Sequence, residues 1–241
     1  MFKEIDEKKA ILDSKRPLPE YTVKSIRENL LLEWTYNSNA IEGNTLTLME
    51  TKVVLEGITV GGKTLKEHLE VVNHRDAILY VEDIVINKEA FSQWQIKNIH
   101  GLILKGINDK YAGIYRDQQV MISGAKHTPP EPFLITEQME SFVKWYNIEA
   151  QNLHPIERAA IIHIKFVGIH PFIDGNGRTS RLLLNLELMK SGYPPIVISA
   201  ENRLRYYSAL DNAHTTGDNC DFIDIVKEEV NRTLSIYLKL T

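Results

Sequence analysis

The chain has 241 residues, of which 43% are hydrophobic and 25% charged, and its formal net charge is -4. This length allows one sizeable core, and the slightly acidic balance excludes a general electrostatic attraction to nucleic acid or to an anionic membrane surface. The single cysteine, Cys220, excludes an internal disulfide framework, and the charged N-terminal residues lack the apolar segment of a signal peptide. No run approaches the roughly 18 apolar residues of a membrane span. We therefore expect a cytoplasmic protein without membrane segments.

Only 13 glycines and 9 prolines are present, and the prolines cluster in a few places and leave long segments between them, which predicts a mainly helical protein. A helix is predicted over about residues 22–43, where Gly43 suits a left-handed C-terminal cap. Thr47 followed by Glu50 resembles a capping box that opens the next helix. Further helices are predicted over 65–87, from Ser92 onward, and over 136–146, 155–170, 178–191, 200–213 and 221–239.

One segment departs from the helical pattern. Residues 114–132 combine a β-rich run with Gly124 and a proline cluster, which predicts one short β-hairpin. The predicted fold class is therefore all-α with one short β-hairpin. A plain edge hairpin without a functional role is the alternative interpretation of this segment.

Residues 170–181, HPFIDGNGRTSR, place many polar groups directly behind a long apolar run. Pro171 disfavours helical geometry in the residue before it, so the preceding helix should end at His170. Gly175 and Gly177 allow backbone N–H groups of the turn to point inward. The next helix begins there, with the positive end of its dipole facing the same turn. This arrangement predicts a binding site for a phosphate chain.

The side chains of the same segment suggest roles in catalysis. Arg178 and Arg181 lie three residues apart and can both reach over the turn. Asp174 is suited to hold a divalent cation that neutralises phosphate oxygens, and His170 is suited to take a proton from an incoming hydroxyl. Together these residue types favour phosphoryl or nucleotidyl transfer. The alternative is an ordinary turn, in which His170 is a satisfied cap and the arginines bind surface carboxylates.

The stretch HPFIDGNGRTSR resembles the signature of the Fic (Fido) family, His-Pro-Phe-x-Asp-Gly-Asn-Gly-Arg-x-x-Arg, at every specified position. The likeness extends from about Leu30 to near the C-terminus. It implies a mainly helical Fic fold, with residues 1–90 as an N-terminal helical region and residues 91–241 as the Fic core. Members that resemble this chain transfer AMP from ATP to a hydroxyl side chain of another protein.

The resemblance implies a role for each group of this segment. His170 would be the general base, and Asp174 would bind Mg²⁺ near the α- and β-phosphates of ATP. Glycine at position 177 favours AMP transfer, since related members with lysine there transfer phosphate. By the same resemblance, Gly175, Asn176 and Gly177 form the anion hole, and Arg178 and Arg181 bind the outer phosphates. The other implied nucleotide-binding residues are Gly124, Ala125, Lys126 and His127 in the hairpin, and Tyr206 and Tyr207 on the adenine side.

The resemblance also identifies the hairpin as a flap that docks a segment of the target protein by strand addition. The target would bind along about residues 120–127 and present a Ser, Thr or Tyr hydroxyl. Some relatives contact the adenine with an asparagine after the tyrosines, where this chain has His214. Relatives often modify themselves, so automodification is also expected, and a homodimer is left open.

The stretch SNAIEG, residues 38–43, resembles the inhibitory motif of Fic proteins. Glu42 falls in the last turn of the helix predicted over 22–43, where the helix dipole repels a carboxylate, so a cationic partner is expected. By the resemblance, Glu42 pairs with Arg181 and prevents productive placement of the γ-phosphate. Ser38, one turn earlier, would support the pair. The chain would then carry its inhibitory helix on the N-terminal side.

The predicted function is therefore that of an autoinhibited protein adenylyltransferase that uses ATP and Mg²⁺. Removal of AMP from a modified protein, or another phosphoryl or nucleotidyl transfer, is the alternative within the same fold. A non-enzymatic nucleotide-binding regulatory module is a further alternative, but His170 argues against it because phosphate binding alone needs no general base. No helix-turn-helix with a basic face is evident in the sequence, so nucleic acid is not expected as a partner.

Overall fold

A computed structural model describes residues 2–241 of the protein. Within this range, no helix combines the length and apolar character that a membrane crossing requires. The α-helices are α1 (Lys3–Ser14), α2 (Glu20–Ile41), α3 (Leu48–Leu55), α4 (Leu65–Ile86), α5 (Gln93–Leu104), α6 (Ile135–Ile148), α7 (Pro155–Ile169), α8 (Asn176–Lys190), α9 (Arg203–Thr216) and α10 (Cys220–Leu240). Short 3-10 helices cover Pro132–Leu134, Ala150–Asn152 and Ala200–Asn202.

The helices α7 and α8 form the centre of the fold. Pro155 opens α7, where its missing N–H suits the first helical turn, and the apolar residues that follow are mostly buried. Helix α8 packs on α7 and also contacts α2, α4 and α5. Because 12 of its 15 residues are buried, α8 is enclosed on nearly all sides rather than on one face. The loop between the two helices is therefore attached at both ends to the buried centre of the fold.

Two hydrophobic clusters lie on either side of this central pair. One joins α2, α4, α5 and α6 to α7 and α8, and it includes Trp34, Ile96 and Phe166. The other joins α1, α9 and α10 to the same pair, and it includes Leu188 and Phe222. Because α2 shares the first cluster, the helix that leads to Glu42 is held against the core that also supports the loop.

The predicted helix boundaries are confirmed within a few residues, together with two local signals. Thr47 and Glu50 form the capping box of α3, in which each side chain bonds to the backbone N–H of the other residue. Ser92 caps α5. Helix α2 ends at Ile41, and Gly43 follows with a φ of 95° in the left-handed region.

The prediction of a β-hairpin is wrong, because residues 2–241 contain no β-strand. Residues 114–131, here called the flap segment, run outward and back as extended chain around a turn at Gly124. One backbone hydrogen bond joins the two limbs, at the turn itself, where the N–H of Ala125 donates to the carbonyl oxygen of Ile122 at 3.2 Å, and no ladder of bonds follows it. Pro129 and Pro130 contribute to this difference, since neither has an N–H group to donate to a ladder.

Side chains hold the two limbs of the flap segment together in place of a ladder. Arg116 donates from Nη1 to the carbonyl oxygen of Gln118 at 2.9 Å and from Nη2 to that of Pro130 at 2.5 Å. Gln119 donates from Nε2 to the carbonyl oxygen of Pro129 at 3.0 Å. The limbs are thus connected at their base, while most backbone groups near the tip make no bond to the opposite limb.

Candidate active site

The loop between α7 and α8 begins at His170, as the sequence predicts. His170 caps α7 in the left-handed region, with a φ of 51° and a ψ of 58°. At the other end of the loop Gly175 precedes α8 with a φ of 78°, a conformation that favours glycine. The chain therefore reverses within six residues, and both ends of the loop are fixed by central helices.

Asn176 holds the loop in shape through its side chain. Its Oδ1 accepts a hydrogen bond from the N–H of Phe172 at 3.0 Å, and its Nδ2 donates to the Phe172 carbonyl oxygen at 2.8 Å. The residue is only 2% exposed, so these bonds are shielded from water. The side chain of Asn176 is thus bonded within the loop through both its oxygen and its nitrogen, whereas its backbone N–H has no acceptor among the described residues.

The first turn of α8 offers backbone donors. The N–H groups of Asn176, Gly177 and Arg178 have no acceptor among the residues that the structure describes. They lie at the positive end of the helix dipole, where anions are stabilised. The N–H of Gly175 is already bonded, because it donates to Asp174 Oδ1 at 2.6 Å. This helix start is chemically suited to a phosphate group.

His170 is poised to accept a proton. Burial lowers the pKa of His170 to about 4, so the imidazole is neutral at pH 7. Its Nδ1 lies 3.3 Å from the carbonyl oxygen of Val167, which can only accept a hydrogen bond. Nδ1 therefore carries the hydrogen, and Nε2 keeps the lone pair.

Asp174 has half of its side-chain surface exposed, and Oδ1 lies 3.4 Å from Arg178 Nη2. Within residues 2–241, no group of three His, Cys, Asp or Glu side chains is arranged to hold a metal ion. A single accessible carboxylate nevertheless fits Mg²⁺, which commonly uses one or two protein carboxylates together with the phosphates of a substrate. Asp174 therefore suits a metal site shared with a nucleotide and not one made by protein alone.

The two arginines of this region are both buried but have different partners. Arg181 donates from Nε to Ser38 Oγ at 3.0 Å and from Nη2 to Glu42 Oε1 at 2.7 Å. The structure thus brings Ser38, Glu42 and Arg181 together. Arg178 instead lies with Nη1 3.3 Å from Glu70 Oε1 on α4. Of the two guanidinium groups, only that of Arg181 contacts the predicted inhibitory segment.

The carboxylate of Glu42 lies directly over the backbone of Gly177. A Cβ atom built on Gly177 would collide with Glu42 Oε1. The carboxylate therefore fills the space next to the first turn of α8. A negative charge in this place repels a second anion that approaches the same N–H groups.

Tyr206 and Tyr207 lie in different environments. Tyr206 is 2% exposed, and its hydroxyl accepts a hydrogen bond from Arg181 Nη1 at 3.1 Å and lies 3.0 Å from His163 Nε2. Burial raises the pKa of Tyr206 to about 12. Tyr207 is 45% exposed and donates from its hydroxyl to the carbonyl oxygen of Ile41 at 2.9 Å. Of this pair, only Tyr207 presents its ring to a ligand from solvent.

The predicted nucleotide-side residues of the flap segment, 124–127, are tied to α9. The backbone N–H groups of Lys126 and His127 both donate to Oδ1 of Asp211, at 2.8 Å and 3.2 Å. The imidazole of His127 lies 4.4 Å from that of His214, measured between ring centres. The inner limb of the flap segment is thus held by the carboxylate of Asp211 on α9 and by a contact of 2.9 Å between His127 Nε2 and the carbonyl oxygen of Gly168 on α7.

Arg116 connects the flap segment to the loop, and the sequence did not indicate it. It is 2% exposed and donates from Nε to the His170 carbonyl oxygen at 2.8 Å. Its backbone N–H donates to the carbonyl oxygen of Pro171 at 2.9 Å. Arg116 therefore fixes the backbone on which the imidazole of His170 is mounted.

His100, on α5, supports the loop from below and was also not predicted. Its ring stacks on Phe172 with 3.5 Å between ring centres, and Nε2 lies 2.8 Å from the Asp174 carbonyl oxygen. The partner of His100 is 74 residues away in the chain, and that of Arg116 is 54 residues away. No local sequence signal marks such residues, because each acts through a partner that only the fold brings near.

Comparisons with known proteins agree with this arrangement. Residues 90–188 match the family model described as the Fic/DOC family. The protein adenylyltransferase Fic of Nematostella vectensis is 41% identical over 244 residues, which cover 100% of this chain and 56% of that protein. The chain spans about half the length of the curated relatives it matches.

Two solved structures have the same fold over nearly the whole chain. A Fic-domain-containing signaling protein from Bacteroides thetaiotaomicron gives a TM-score of 0.90 at 32% identity, covering 98% of this chain and 96% of that one. Fic-1 from C. elegans gives a TM-score of 0.90 at 31% identity, covering 99% of this chain and 71% of that one. The matched residues contain the loop from His170 to Arg181 and the helices that support it, and the chain belongs to the Fic/DOC family.

Proposed function

We propose that the protein transfers AMP from ATP to a hydroxyl group of a target protein. The main support is the position of a neutral His170 in the same short loop as the free N–H groups of α8 and the exposed carboxylate of Asp174. The relative from Nematostella vectensis, named as a protein adenylyltransferase, supports the same activity.

The loop residues have separate roles in this reaction. The N–H groups of Asn176 and Gly177 hold phosphate oxygens, and Asp174 holds Mg²⁺, which when bound neutralises charge on the phosphates. His170 Nε2 takes the proton of the target hydroxyl while the hydroxyl oxygen bonds to the α-phosphorus. The bond from that phosphorus to the bridging oxygen breaks, and pyrophosphate leaves. We assign Gly175 to the turn itself, since its N–H already binds Asp174.

Glu42 inhibits this reaction in two ways. It occupies the space above Gly177, and it engages the guanidinium of Arg181, which would otherwise bind the outer phosphates. Ser38 strengthens the contact, because its hydroxyl and its carbonyl oxygen both accept hydrogen bonds from Arg181. The wild-type protein is therefore expected to have a low basal activity until the end of α2 moves away.

The target protein is bound along the flap segment, residues 114–131. Most backbone groups near the tip of this segment make no bond to the opposite limb, so they are available to an incoming chain. The tip leads back through His127 toward α7, which ends at His170. A Ser, Thr or Tyr hydroxyl held there reaches the imidazole, and the protein's own side chains can serve as a target in the same way.

AMP transfer from labelled ATP tests the proposal directly. The Glu42→Gly variant is expected to incorporate label at least about tenfold faster than wild type, since one carboxylate–arginine contact is worth about 1.4 kcal/mol or more. Adding His170→Ala to this variant is expected to reduce transfer by about 10²- to 10⁴-fold while ATP still binds. Mass spectrometry of the product distinguishes added AMP from added phosphate and from removal of AMP.

The chain contains a matched control for the first variant. Glu56 caps α3 and is followed by Gly57 with a φ of 87°, just as Glu42 caps α2 and is followed by Gly43. Glu56→Gly makes the same chemical change at an exposed helix end and should leave basal transfer at the wild-type level. Equal transfer in the Glu42→Gly and Glu56→Gly proteins would contradict inhibition by Glu42. Full transfer without His170 would remove the assigned base.

A further inference from the structure

Arg178 is enclosed between two carboxylates. It is 2% exposed, and its Nη1 lies 3.3 Å from Glu70 Oε1 while its Nη2 lies 3.4 Å from Asp174 Oδ1. The contact between Arg178 Nη1 and Glu70 Oε1 is not a hydrogen bond, because Nη1 has no hydrogen-bond partner among the described residues. Arg178 and Glu70 therefore interact as an ion pair, through the attraction of opposite charges. A buried guanidinium needs such a counter-charge, because removing one partner leaves an uncompensated ion.

Glu70 is itself held by residues next to the inhibitory Glu42. Oε2 of Glu70 accepts a hydrogen bond from Asn44 Nδ2 at 2.9 Å, and its carbonyl oxygen accepts one from Asn39 Nδ2 at 3.3 Å. Glu70 is only 9% exposed. A continuous set of contacts thus runs from Asn44 through Glu70 and Arg178 to the carboxylate of Asp174.

We infer that Glu70 is a positioning residue for the metal-binding carboxylate: its charge neutralises Arg178, so that Asp174 stays available to a divalent cation. The inference rests on the proposed function, since it assumes that Asp174 shares Mg²⁺ with a nucleotide. Asn44 keeps Glu70 in place. The segment around Glu42 therefore influences the site twice, at Arg181 by direct contact and at Asp174 through Glu70.

The direction of the effect follows from the charges. Without the charge of Glu70, Arg178 keeps a full positive charge whose nearest counter-charge is Asp174. That charge competes with a cation for Oδ1 and repels it through a low-dielectric interior. Loss of a group that orients a metal ligand typically reduces metal affinity by about 10- to 100-fold. Nucleotide binding without metal should not weaken, because the additional positive charge does not repel phosphate.

Isothermal titration of ATP, with Mg²⁺ and with a chelator, tests this inference in the Glu42→Gly protein. Mg²⁺ is expected to tighten ATP binding in that protein. In the Glu42→Gly/Glu70→Gln protein the gain from Mg²⁺ should be about tenfold smaller, with no loss of affinity in the chelator. Adding Arg178→Gln as well removes the competing charge and should restore most of the gain.

A second glutamate on α4 provides the matched control. Glu82 accepts a hydrogen bond from Arg27 Nε of α2 at 2.8 Å, so it also joins α2 to α4. It lies twelve residues beyond Glu70, which places it ~18 Å further along the helix. Glu82→Gln in the Glu42→Gly background should leave the gain from Mg²⁺ unchanged.

Each result has a definite meaning. An unchanged Mg²⁺ gain in the Glu70→Gln protein overturns the inference, and so does an equal loss of affinity in the chelator, which would indicate a purely structural role. If Glu70→Gln prevents folding, Asn44→Ala decides, because it keeps every charge and should reduce the gain by about threefold; no reduction overturns the inference. Failure of the Glu42→Gly protein itself to bind ATP would instead contradict the proposed function.

Discussion

The loop at 170–175 and the flap segment at 114–131 are held in place in different ways. The loop has hydrogen bonds within a short stretch, from Asn176 to Phe172 and from Gly175 to Asp174, and it is also supported by Arg116 and His100. The flap segment depends on the side chains of Arg116 and Gln119 at its base and on Asp211 from α9. The loop therefore keeps its local bonds when a neighbouring side chain is removed, whereas the flap segment has few local bonds and can lose its attachments one contact at a time.

Acidification is expected to have the largest effect, because burial lowers the pKa of several histidines, of which His170 belongs to the loop and His100 supports it. Burial lowers the pKa of His100 and that of His170 to about 4, while an unfolded histidine titrates near 6.5. Between pH 6.5 and pH 4 the unfolded chain therefore binds protons that the folded chain excludes. The free energy of unfolding should fall by about 3 kcal/mol for each of these groups.

Urea denaturation over this pH range, in wild type and in His100→Gln, measures the effect. The variant lacks one of the two groups, so its loss of stability between pH 6.5 and pH 4 should be about 3 kcal/mol smaller than that of wild type. The variant will be less stable than wild type at pH 7, because the stacking on Phe172 is lost. Equal losses in the two proteins would show that His100 is not kept neutral by the fold.

Removing Arg116 is expected to have the next largest effect, since this residue joins the two regions. Arg116→Ala deletes four side-chain hydrogen bonds, to His170, Gln118, Gln119 and Pro130. The free energy of unfolding should decrease by about 3 kcal/mol, and AMP transfer should fall because the backbone of His170 loses its support. Chemical denaturation measures the first change and labelled ATP the second.

The Arg116→Lys variant tests whether the positive charge of Arg116 or its hydrogen-bonding geometry is responsible for this effect. A lysine keeps the positive charge but has no planar fork that can reach three acceptors, so it should recover less than half of the lost stability. Full recovery by lysine would mean that charge alone holds the flap segment to the loop.

Removing Asp211 should have the smallest effect and should be confined to the flap segment. Asp211→Ala deletes the acceptor of the Lys126 and His127 N–H groups at a partly exposed site, so global stability should change by only about 1 kcal/mol. Hydrogen exchange at those two N–H groups should become faster while the loop stays protected. Asp211→Asn keeps the Oδ1 acceptor and should restore slow exchange. Unchanged exchange in Asp211→Ala would contradict the anchoring role.

The sequence was most informative where contacts are local. The helices, the capping box at Thr47 and the end of α7 at His170 all follow from residues within a few positions of each other. The prediction of a β-hairpin was wrong because side chains, and not a ladder of backbone hydrogen bonds, join the two limbs of the flap segment. Long-range contacts such as those of Arg116 and His100 require the fold itself.

The two arginines show why a shared helix face is a coarse prediction. A spacing of three residues leaves about 60° between side chains around a helix. This difference is enough to direct Arg178 toward Glu70 on α4 and Arg181 toward Ser38 on α2. Tyr206 and Tyr207 diverge for the same reason, because neighbours in a helix point about 100° apart and one of them reaches the core.

The close approach of Glu42 to Gly177 has a genetic consequence. Any residue other than glycine at position 177 would displace the carboxylate of Glu42 and would itself take up part of the space that this carboxylate fills beside the first turn of α8. A mutation in codon 177 therefore cannot separate the two effects, whereas a mutation in codon 42 changes only the carboxylate. The level of activity can therefore change through substitutions at position 42, whereas a substitution at position 177 alters the inhibitory contact and the space beside α8 together.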